Sequence, residues 1–184
     1  MRFLRMPPPP LRLADLPQQP IRHHIMNAVL DPQKDIKKDF SWSIRVYYED
    51  TDAGGVVFYA NYLKFFERAR TEWLRAVGIE QSQLVRTDEV MFVVKSTALD
   101  YHAPSRLDDE LYLTVIVENI GRVAVEFIQQ AWRYDDETPK LLATGRIKVV
   151  CVNANTFRPT AIPQKVLDQI RPKHHSINTT STAF

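Results

Sequence analysis

The stretch YYEDTDAGGVVFYANYLKFFERARTEWL, residues 47–74, decides the fold because its two halves follow different patterns. The first half is acidic and contains two glycines. The second half repeats apolar residues at steps of three and four, namely Tyr62, Phe66, Ala69, Trp73 and, just beyond it, Val77. This spacing predicts one long amphipathic helix, with Gly78 as its stop. Arg70 lies at the edge of the apolar stripe, where it either snorkels to solvent or pairs with a buried carboxylate.

The segments on both sides of this helix favour strands. Before it, residues 40–48 alternate apolar and polar side chains and are rich in aromatic and branched residues. After it, turn residues such as Pro104 and Gly121 separate four strand-like segments, which are residues 91–103, 110–120, 122–134 and 141–153. Residues 162–170 predict a short terminal helix.

The order of one strand, one helix and four strands lacks the alternating helices of a parallel sheet. It predicts an α+β fold with a largely antiparallel five-stranded sheet and one long helix. One helix covers a single face of such a sheet. Four apolar strand residues indicate more apolar surface than that helix can bury, namely Val115, Val117, Val125 and Phe127. We therefore expect self-association.

The N-terminal segment differs in composition from the rest of the chain. Seven of the twelve prolines lie from Pro7 to Pro32, and no glycine precedes Gly54. We expect residues 1–38 to be a disordered Pro-rich extension, residues 39–172 to form the domain, and residues 173–184 to be a flexible tail. A ligand for a proline-binding module is the alternative for the proline run.

Charge and cysteine content exclude several classes of protein. The net charge of +2 arises from 24 basic and 22 acidic residues without a long run of either sign, so no nucleic-acid footprint is evident. The single cysteine, Cys151, excludes a disulfide framework and a cluster of soft metal ligands, and it fits a cytoplasmic setting. No apolar run reaches membrane-spanning length. We expect no metal, no cofactor and no stable membrane insertion.

The acidic half of the opening stretch carries the candidate chemistry. Glu49, Asp50 and Asp52 lie between a strand end and a helix start. Gly54 and Gly55 allow a ligand to approach the backbone closely, and the helix N-terminus offers free N–H groups to developing negative charge. A carboxylate that faces an oxyanion site is an arrangement suited to acyl transfer.

Other interpretations of the same carboxylates remain open to different degrees. In a structural interpretation, Asp50 or Asp52 caps the turn and Asn61 caps the helix. An aspartate-based phosphatase opens with Asp-x-Asp, but Ala53 follows here and no parallel-sheet pattern does. A calcium loop counted from Asp50 has Asn61, instead of Glu, at its twelfth position. A serine triad needs a G-x-S-x-G elbow, which does not occur.

Residues 47–74 resemble the signature of the hotdog-fold acyl-CoA thioesterases, in particular the 4-hydroxybenzoyl-CoA type and the bacterial Tol-Pal-associated subfamily. The resemblance extends over residues 40–170 and includes FVV at 92–94, YHAPSRLDDEL at 101–111 and VVCVN at 149–153. It implies an antiparallel sheet wrapped around one long helix, and homodimers or homotetramers. The implied activity is hydrolysis of a fatty or aromatic acyl-CoA to the free acid and CoA.

The resemblance also assigns roles within the motif D-x-D-x-x-G. Its second aspartate, Asp52 here, is the catalytic carboxylate and acts as nucleophile or general base. The backbone N–H at the helix start, which is that of Tyr59, polarises the thioester carbonyl. We expect Asp50 to brace the loop or to hold Asp52 in position, with a purely structural role as the alternative, and Gly54 and Gly55 to support the loop. Many Tol-Pal-associated members have histidine where this chain has Tyr59, so no role of that histidine transfers.

Residues outside the motif are weaker candidates for substrate binding. Arg106, after Pro104, is the candidate for contacts with the CoA phosphates, ahead of Lys95 and Arg122. Phe58 is the candidate for lining an acyl pocket.

Two alternative functions share the predicted fold. A hotdog dehydratase would use a histidine near the helix, but none occurs between His24 and His102. His102 itself is interpreted as a strand-end residue and not as part of the catalytic set. A non-catalytic hotdog module would bind acyl chains or acyl carrier protein, which is also an alternative carrier for a thioesterase.

Overall fold

The computed structural model describes residues 40–135 and 138–171. The predicted extension, residues 1–38, and the predicted tail, residues 173–184, lie outside the described residues. These two parts of the domain assignment therefore stay predictions.

The described residues form one antiparallel sheet with three α-helices. The strands are β1 (Phe40–Arg45), β2 (Val90–Tyr101), β3 (Glu110–Ile120), β4 (Ala124–Asp135) and β5 (Thr138–Asn153). The helices are α1 (Asn61–Ala76), α2 (Gln81–Asp88) and α3 (Gln164–Ile170). The sheet order is β1-β3-β4-β5-β2, and every pairing is antiparallel. The predicted α+β fold with five antiparallel strands is confirmed.

The buried face of α1 follows the spacing of its apolar residues. Its buried residues include the predicted Tyr62, Phe66, Ala69 and Trp73, together with Phe65. The Trp73 ring meets the edge of the Phe127 ring on the sheet, with centroids 5.4 Å apart. Gly78 adopts a φ of 83°, which favours glycine, directly after Val77, the C-cap residue of the helix.

Most bounds differ from the predictions by a few residues, and two local elements differ in kind. β1 ends at Arg45, earlier than predicted, because the chain then turns through a short 3-10 helix at Tyr48–Asp50. The helix α2 has no counterpart among the predictions. It buries a single residue, Leu84, and so has almost no apolar periodicity to detect.

The apolar surplus that motivated self-association is not present at the residues named for it. Val115, Val125 and Phe127 are at most 4% exposed, and Val117 packs against the same core. The short helix α3 contributes its own buried residues, such as Val166, to this core. That argument for self-association is therefore wrong, although self-association itself stays a prediction.

Arg70 takes neither of its two expected roles. Its Nη1 donates a hydrogen bond of 2.6 Å to Oε1 of Gln129, which is fully buried on β4. The Nε2 of Gln129 donates to the carbonyl of Phe66 at 3.0 Å. Burial lowers the pKa of Arg70 to about 10, with the nearby charge of Glu67 acting in the opposite direction. The guanidinium is thus held by a neutral buried amide.

Candidate active site

The acidic loop between β1 and α1 is held together through Asp50. This side chain is 3% exposed, and its Oδ2 accepts a hydrogen bond of 3.0 Å from the backbone N–H of Tyr47. Its carbonyl accepts hydrogen bonds from the N–H of Phe58 at 2.8 Å and from Nδ2 of Asn61 at 3.0 Å. The expectation that Asn61 caps the helix is wrong, because its side chain bonds the loop and the N-cap residue is Ala60.

Asp52 lies on the exposed side of the same loop, in a tight turn. Its Oδ1 accepts a hydrogen bond of 2.8 Å from the N–H of Gly54, and its carbonyl accepts one of 3.0 Å from the N–H of Gly55. Gly55 has a φ of 73°, a backbone conformation that residues other than glycine rarely adopt. In the described part of the chain, no donor bonds Oδ2 of Asp52. One carboxylate oxygen caps the turn, and the other accepts no hydrogen bond from the described residues.

A cleft opens beside Asp52 where α1 begins. Its lining consists of Asp52, Val56, Val57, Tyr59, Tyr62, Tyr101, His102, Ala103 and Pro104. Among residues 40–135 and 138–171, no oxygen accepts a hydrogen bond from the backbone N–H of Tyr59. The Oη of Tyr101 donates to the Tyr59 carbonyl at 3.0 Å, which orients the peptide at the helix start. Asp52 and Tyr59 thus line one cleft, and the N–H of Tyr59 has no acceptor among the described residues.

The two other tyrosines of the cleft remain neutral phenols at physiological pH. Burial, together with the negative charge of Asp109, raises the pKa of Tyr62 to about 12. Burial and the neighbouring Tyr59 also raise the pKa of Tyr101. Both side chains therefore serve as hydrogen-bond groups or walls of the cleft and not as bases.

Asp109 organises the loop between β2 and β3, whose first residues line the cleft. Its Oδ2 accepts hydrogen bonds from Ser105 Oγ at 2.9 Å, the Arg106 N–H at 2.8 Å and Arg133 Nη1 at 2.6 Å. Burial opposes ionisation, but these three donors outweigh it and hold the pKa of Asp109 below its usual range. The fully buried Ser105 in turn accepts the Val57 N–H through its carbonyl at 2.8 Å.

Sequence reasoning missed Tyr101, Ser105 and Asp109 as parts of this site. All three belong to the segment at 101–111 that carried part of the resemblance, which is the signal that could have found them. His102 directly follows β2, as its strand-end interpretation implies, but it also lines the cleft. Its Nε2 lies 3.0 Å from Oγ1 of Thr144.

The two candidate substrate-binding residues lie outside the cleft lining. Arg106 is exposed, and its backbone N–H is bonded to Asp109. Phe58 is 40% exposed, and its ring centroid lies 4.5 Å from that of Tyr59. Their predicted roles toward CoA and the acyl group stay predictions.

Metal ligands do not cluster in the part of the chain that the structure describes. There, no group of three His, Cys, Asp or Glu side chains is arranged to hold a metal ion. Among the same residues, no helix combines the length and the apolar composition needed to cross a membrane.

Several known proteins are similar to this chain in sequence and in fold. A family model described as the thioesterase-like superfamily matches residues 46–170. The chain is 42% identical over 127 residues to the acyl-CoA thioesterase YbgC of Haemophilus influenzae, covering 69% of this chain and 90% of that protein. It is 39% identical over 132 residues to the acyl-CoA thioester hydrolase YbgC of Escherichia coli O6:H1, covering 72% and 96%.

A solved structure with a similar fold is a mutant of 4-hydroxybenzoyl CoA thioesterase complexed with 4-hydroxybenzoyl CoA. Its TM-score is 0.67 at 17% identity, and the match covers 71% of this chain and 97% of that chain. The sheet wrapped around α1 is accordingly a hotdog fold. The structural match shows the fold alone, whereas the family-model match to residues 46–170 and the sequence identities of 42% and 39% show the family. The chain belongs to the thioesterase-like superfamily.

Proposed function

We propose that this chain hydrolyses acyl-CoA thioesters to a free acid and CoA in the cleft beside Asp52. Membership of the thioesterase-like superfamily supports this activity, as do the two relatives, of which the chain spans 90% and 96%. One observation carries the assignment of the site. Asp52, whose Oδ2 accepts no hydrogen bond from the described residues, and Tyr59, whose N–H has no acceptor among them, line the same cleft.

In the proposed reaction, the thioester carbonyl accepts a hydrogen bond from the Tyr59 N–H at the start of α1. The positive end of the helix dipole stabilises the negative charge that develops on that oxygen. Oδ2 of Asp52 then attacks the carbonyl carbon and CoA thiolate leaves, which forms an anhydride that water hydrolyses. Alternatively, Asp52 accepts a proton from a water molecule that attacks the carbonyl directly. Both routes yield the free acid and CoA.

The rest of the loop supports these two groups. Asp50 ties both ends of the loop together, and Gly54 and Gly55 close the turn around Asp52. Arg106 contributes a cation to the phosphates of CoA, and Phe58 contacts the acyl group. Acyl carrier protein is an alternative carrier of the same thioester.

We further propose that copies of this chain associate, as a dimer or tetramer. β2 is an edge strand of 12 residues whose middle is exposed, and Val94 is 50% exposed there. A long exposed edge offers unpaired backbone groups to a second copy. A cytoplasmic location belongs to the same proposal and rests on the single Cys151. Association with a Tol-Pal system is what the resemblance implies.

Replacement of Asp52 by asparagine tests the proposed function. Asp52→Asn keeps an oxygen for the Gly54 N–H but removes the reactive carboxylate, so the turn is retained. Thiol release from short, long and aromatic acyl-CoAs should fall by about 10³-fold or more. Asp100→Asn, an exposed aspartate outside the cleft lining, is the matched control and should keep its activity. A folded Asp52→Asn protein with a near-wild-type rate would refute the proposal.

A hotdog dehydratase is the second candidate, because His102 and Asp52 line one cleft. A dehydratase would hydrate enoyl-CoA, and His102→Gln would abolish that reaction. Thiol release without enoyl-CoA hydration would eliminate this candidate. A non-catalytic module would show neither reaction while still binding the acyl group.

A further inference from the structure

We propose that a second cavity, formed by α1, α3 and the inner face of the sheet, binds an apolar carboxylate. The enclosed part of the cavity measures about 90 Å³ and continues into an open mouth at the protein surface, so a ligand longer than the enclosed part extends into the mouth. Much of its wall is apolar and includes Trp73, Leu74, Phe92, Phe127, Val149 and Val166. It shares no lining residue with the cleft beside Asp52.

A single cation, Arg70, distinguishes this apolar cavity from a packing defect in the described core. Its side chain lines the cavity while Nη1 donates to Gln129 at 2.6 Å. Gln129 is fully buried, and because its Nε2 bonds the Phe66 carbonyl, its Oε1 is directed to the guanidinium. A guanidinium has five N–H donors. Within the described residues, this bond to Gln129 is its only hydrogen bond, so four donors stay available.

The charge of Arg70 has no ion-pair partner within 4.0 Å among the described residues. Glu67, one turn away, also lines the cavity, but its Oε1 accepts a hydrogen bond from Thr71 Oγ1 at 2.8 Å and it is exposed. Burial with a neutral partner destabilises the charged guanidinium, as its lowered pKa indicates. An anion in the cavity would offset this cost.

These features together define the class of ligand. The apolar wall favours an aliphatic or aromatic body, and the planar fork of arginine matches the two oxygens of a carboxylate. Glu67 would repel such an anion weakly, because solvent screens its exposed carboxylate. A free acid is also the class of product that the proposed reaction releases. The argument for this cavity nevertheless rests on its own geometry and not on the role of Asp52.

Calorimetric titration of the full chain with sodium decanoate and with 1-decanol tests the proposal. The two probes share an apolar chain, but only decanoate can pair with Arg70. We expect decanoate to bind more tightly than decanol. Arg70→Met should weaken decanoate binding by about tenfold or more and leave decanol binding unchanged. Arg68→Met, an exposed arginine of α1 outside this cavity, is the matched control and should bind decanoate as the wild type does.

Three outcomes would overturn the proposal. In the first, the wild type does not bind decanoate. In the second, the wild type binds decanoate and decanol equally tightly. In the third, Arg70→Met binds decanoate as tightly as the wild type. Asp52→Asn separates the two sites, since it should lose hydrolysis yet bind decanoate unchanged. Loss of decanoate binding in that variant would place the acid in the catalytic cleft and also refute the proposal.

A second variant covers the possibility that Arg70→Met unfolds by leaving Gln129 unsatisfied. Arg70→Lys keeps the charge but loses the planar fork, and we expect decanoate binding to weaken several-fold. Circular dichroism verifies that each variant is folded before titration. A folded Arg70→Lys with wild-type decanoate affinity would contradict the proposal.

Discussion

At the scale of single residues, Asp52 combines the capping of its turn with the reactive role that we propose for it. Its Oδ1 accepts the Gly54 N–H, as a structural interpretation of the loop predicts, while Oδ2 has no donor among the described residues. The turn thus orients the carboxylate that we propose to be reactive. Asp50 differs in being buried, with its side chain and carbonyl both bonded to the loop and helix start.

Gly54→Ala tests how strictly the carboxylate of Asp52 is positioned. A Cβ at Gly54 would lie 3.1 Å from Oδ1 of Asp52, so the exposed carboxylate must shift by a few tenths of an ångström. We expect kcat/KM for acyl-CoA hydrolysis to fall by about tenfold with little change in Tm. Gly121→Ala is the control, because the nearest atom to its Cβ would be 3.5 Å away. Unchanged kinetics of Gly54→Ala would show that this position tolerates displacement.

At the scale of elements, the loop after β2 connects the sheet to the acidic segment before α1. Through Ser105 it bonds Val57, shortly before Tyr59, and through its backbone at Asp109 it accepts the N–H of Val46 at 3.0 Å. The loop thus contacts the acidic segment on both sides. Tyr101 adds a bond to the Tyr59 carbonyl. Two elements that are distant in sequence from α1 therefore orient the residues that lead into it.

Asp109→Asn tests the contribution of this loop to stability and its dependence on pH. Because the folded pKa of Asp109 is depressed, its carboxylate stabilises the fold above the unfolded pKa of about 3.9. That contribution is lost as pH falls through the folded pKa. We expect Asp109→Asn to lower the free energy of unfolding at pH 7 by about 1–3 kcal/mol, and we expect a smaller difference from wild type at pH 3.

Urea denaturation at both pH values measures these differences. Asp100→Asn, at an exposed aspartate outside this hydrogen-bond network, serves as the control. A stability difference for Asp109→Asn that is constant between the two pH values would contradict an ionised Asp109 as its source.

At the scale of the whole molecule, the sheet has an open edge along β2. β2 bonds β5 on one side only, and its middle is exposed from Val94 to Ala98. α1 packs chiefly on β1 and β3, near the opposite edge of the sheet from β2. The proposed association of two copies therefore rests on this edge, and not on the apolar strand residues that the chain buries by itself.

Val94→Arg tests this edge as the interface between copies. A charged side chain at the exposed edge should disfavour pairing, because its burial against a second copy would cost desolvation. We expect light scattering coupled to gel filtration to show an oligomer for the wild type and a shift toward monomer for Val94→Arg. Val85→Arg, at an exposed valine of α2, is the control and should leave the mass unchanged. An unchanged mass for Val94→Arg would contradict association through β2.

The sequence by itself determined the elements that depend on local pattern. The stripe of Tyr62, Phe66, Ala69 and Trp73 predicts α1 because helical periodicity is a property of neighbouring residues. Alternation and turn residues likewise predict four later strands close to their observed bounds. The acidic loop and its two glycines were also recognisable without coordinates, since the candidate chemistry lies within one short segment.

Only the tertiary structure decided which groups meet. It buries Asp50 and exposes Asp52, two residues apart, and it brings Tyr101 to Tyr59 across 42 positions. It also joins Arg70 to Gln129 across 59 positions. Such pairs leave no local pattern, because strand pairing and helix packing select the contacts between distant residues. The opening stretch therefore predicts the helix and the carboxylate, while the folded chain decides what surrounds them.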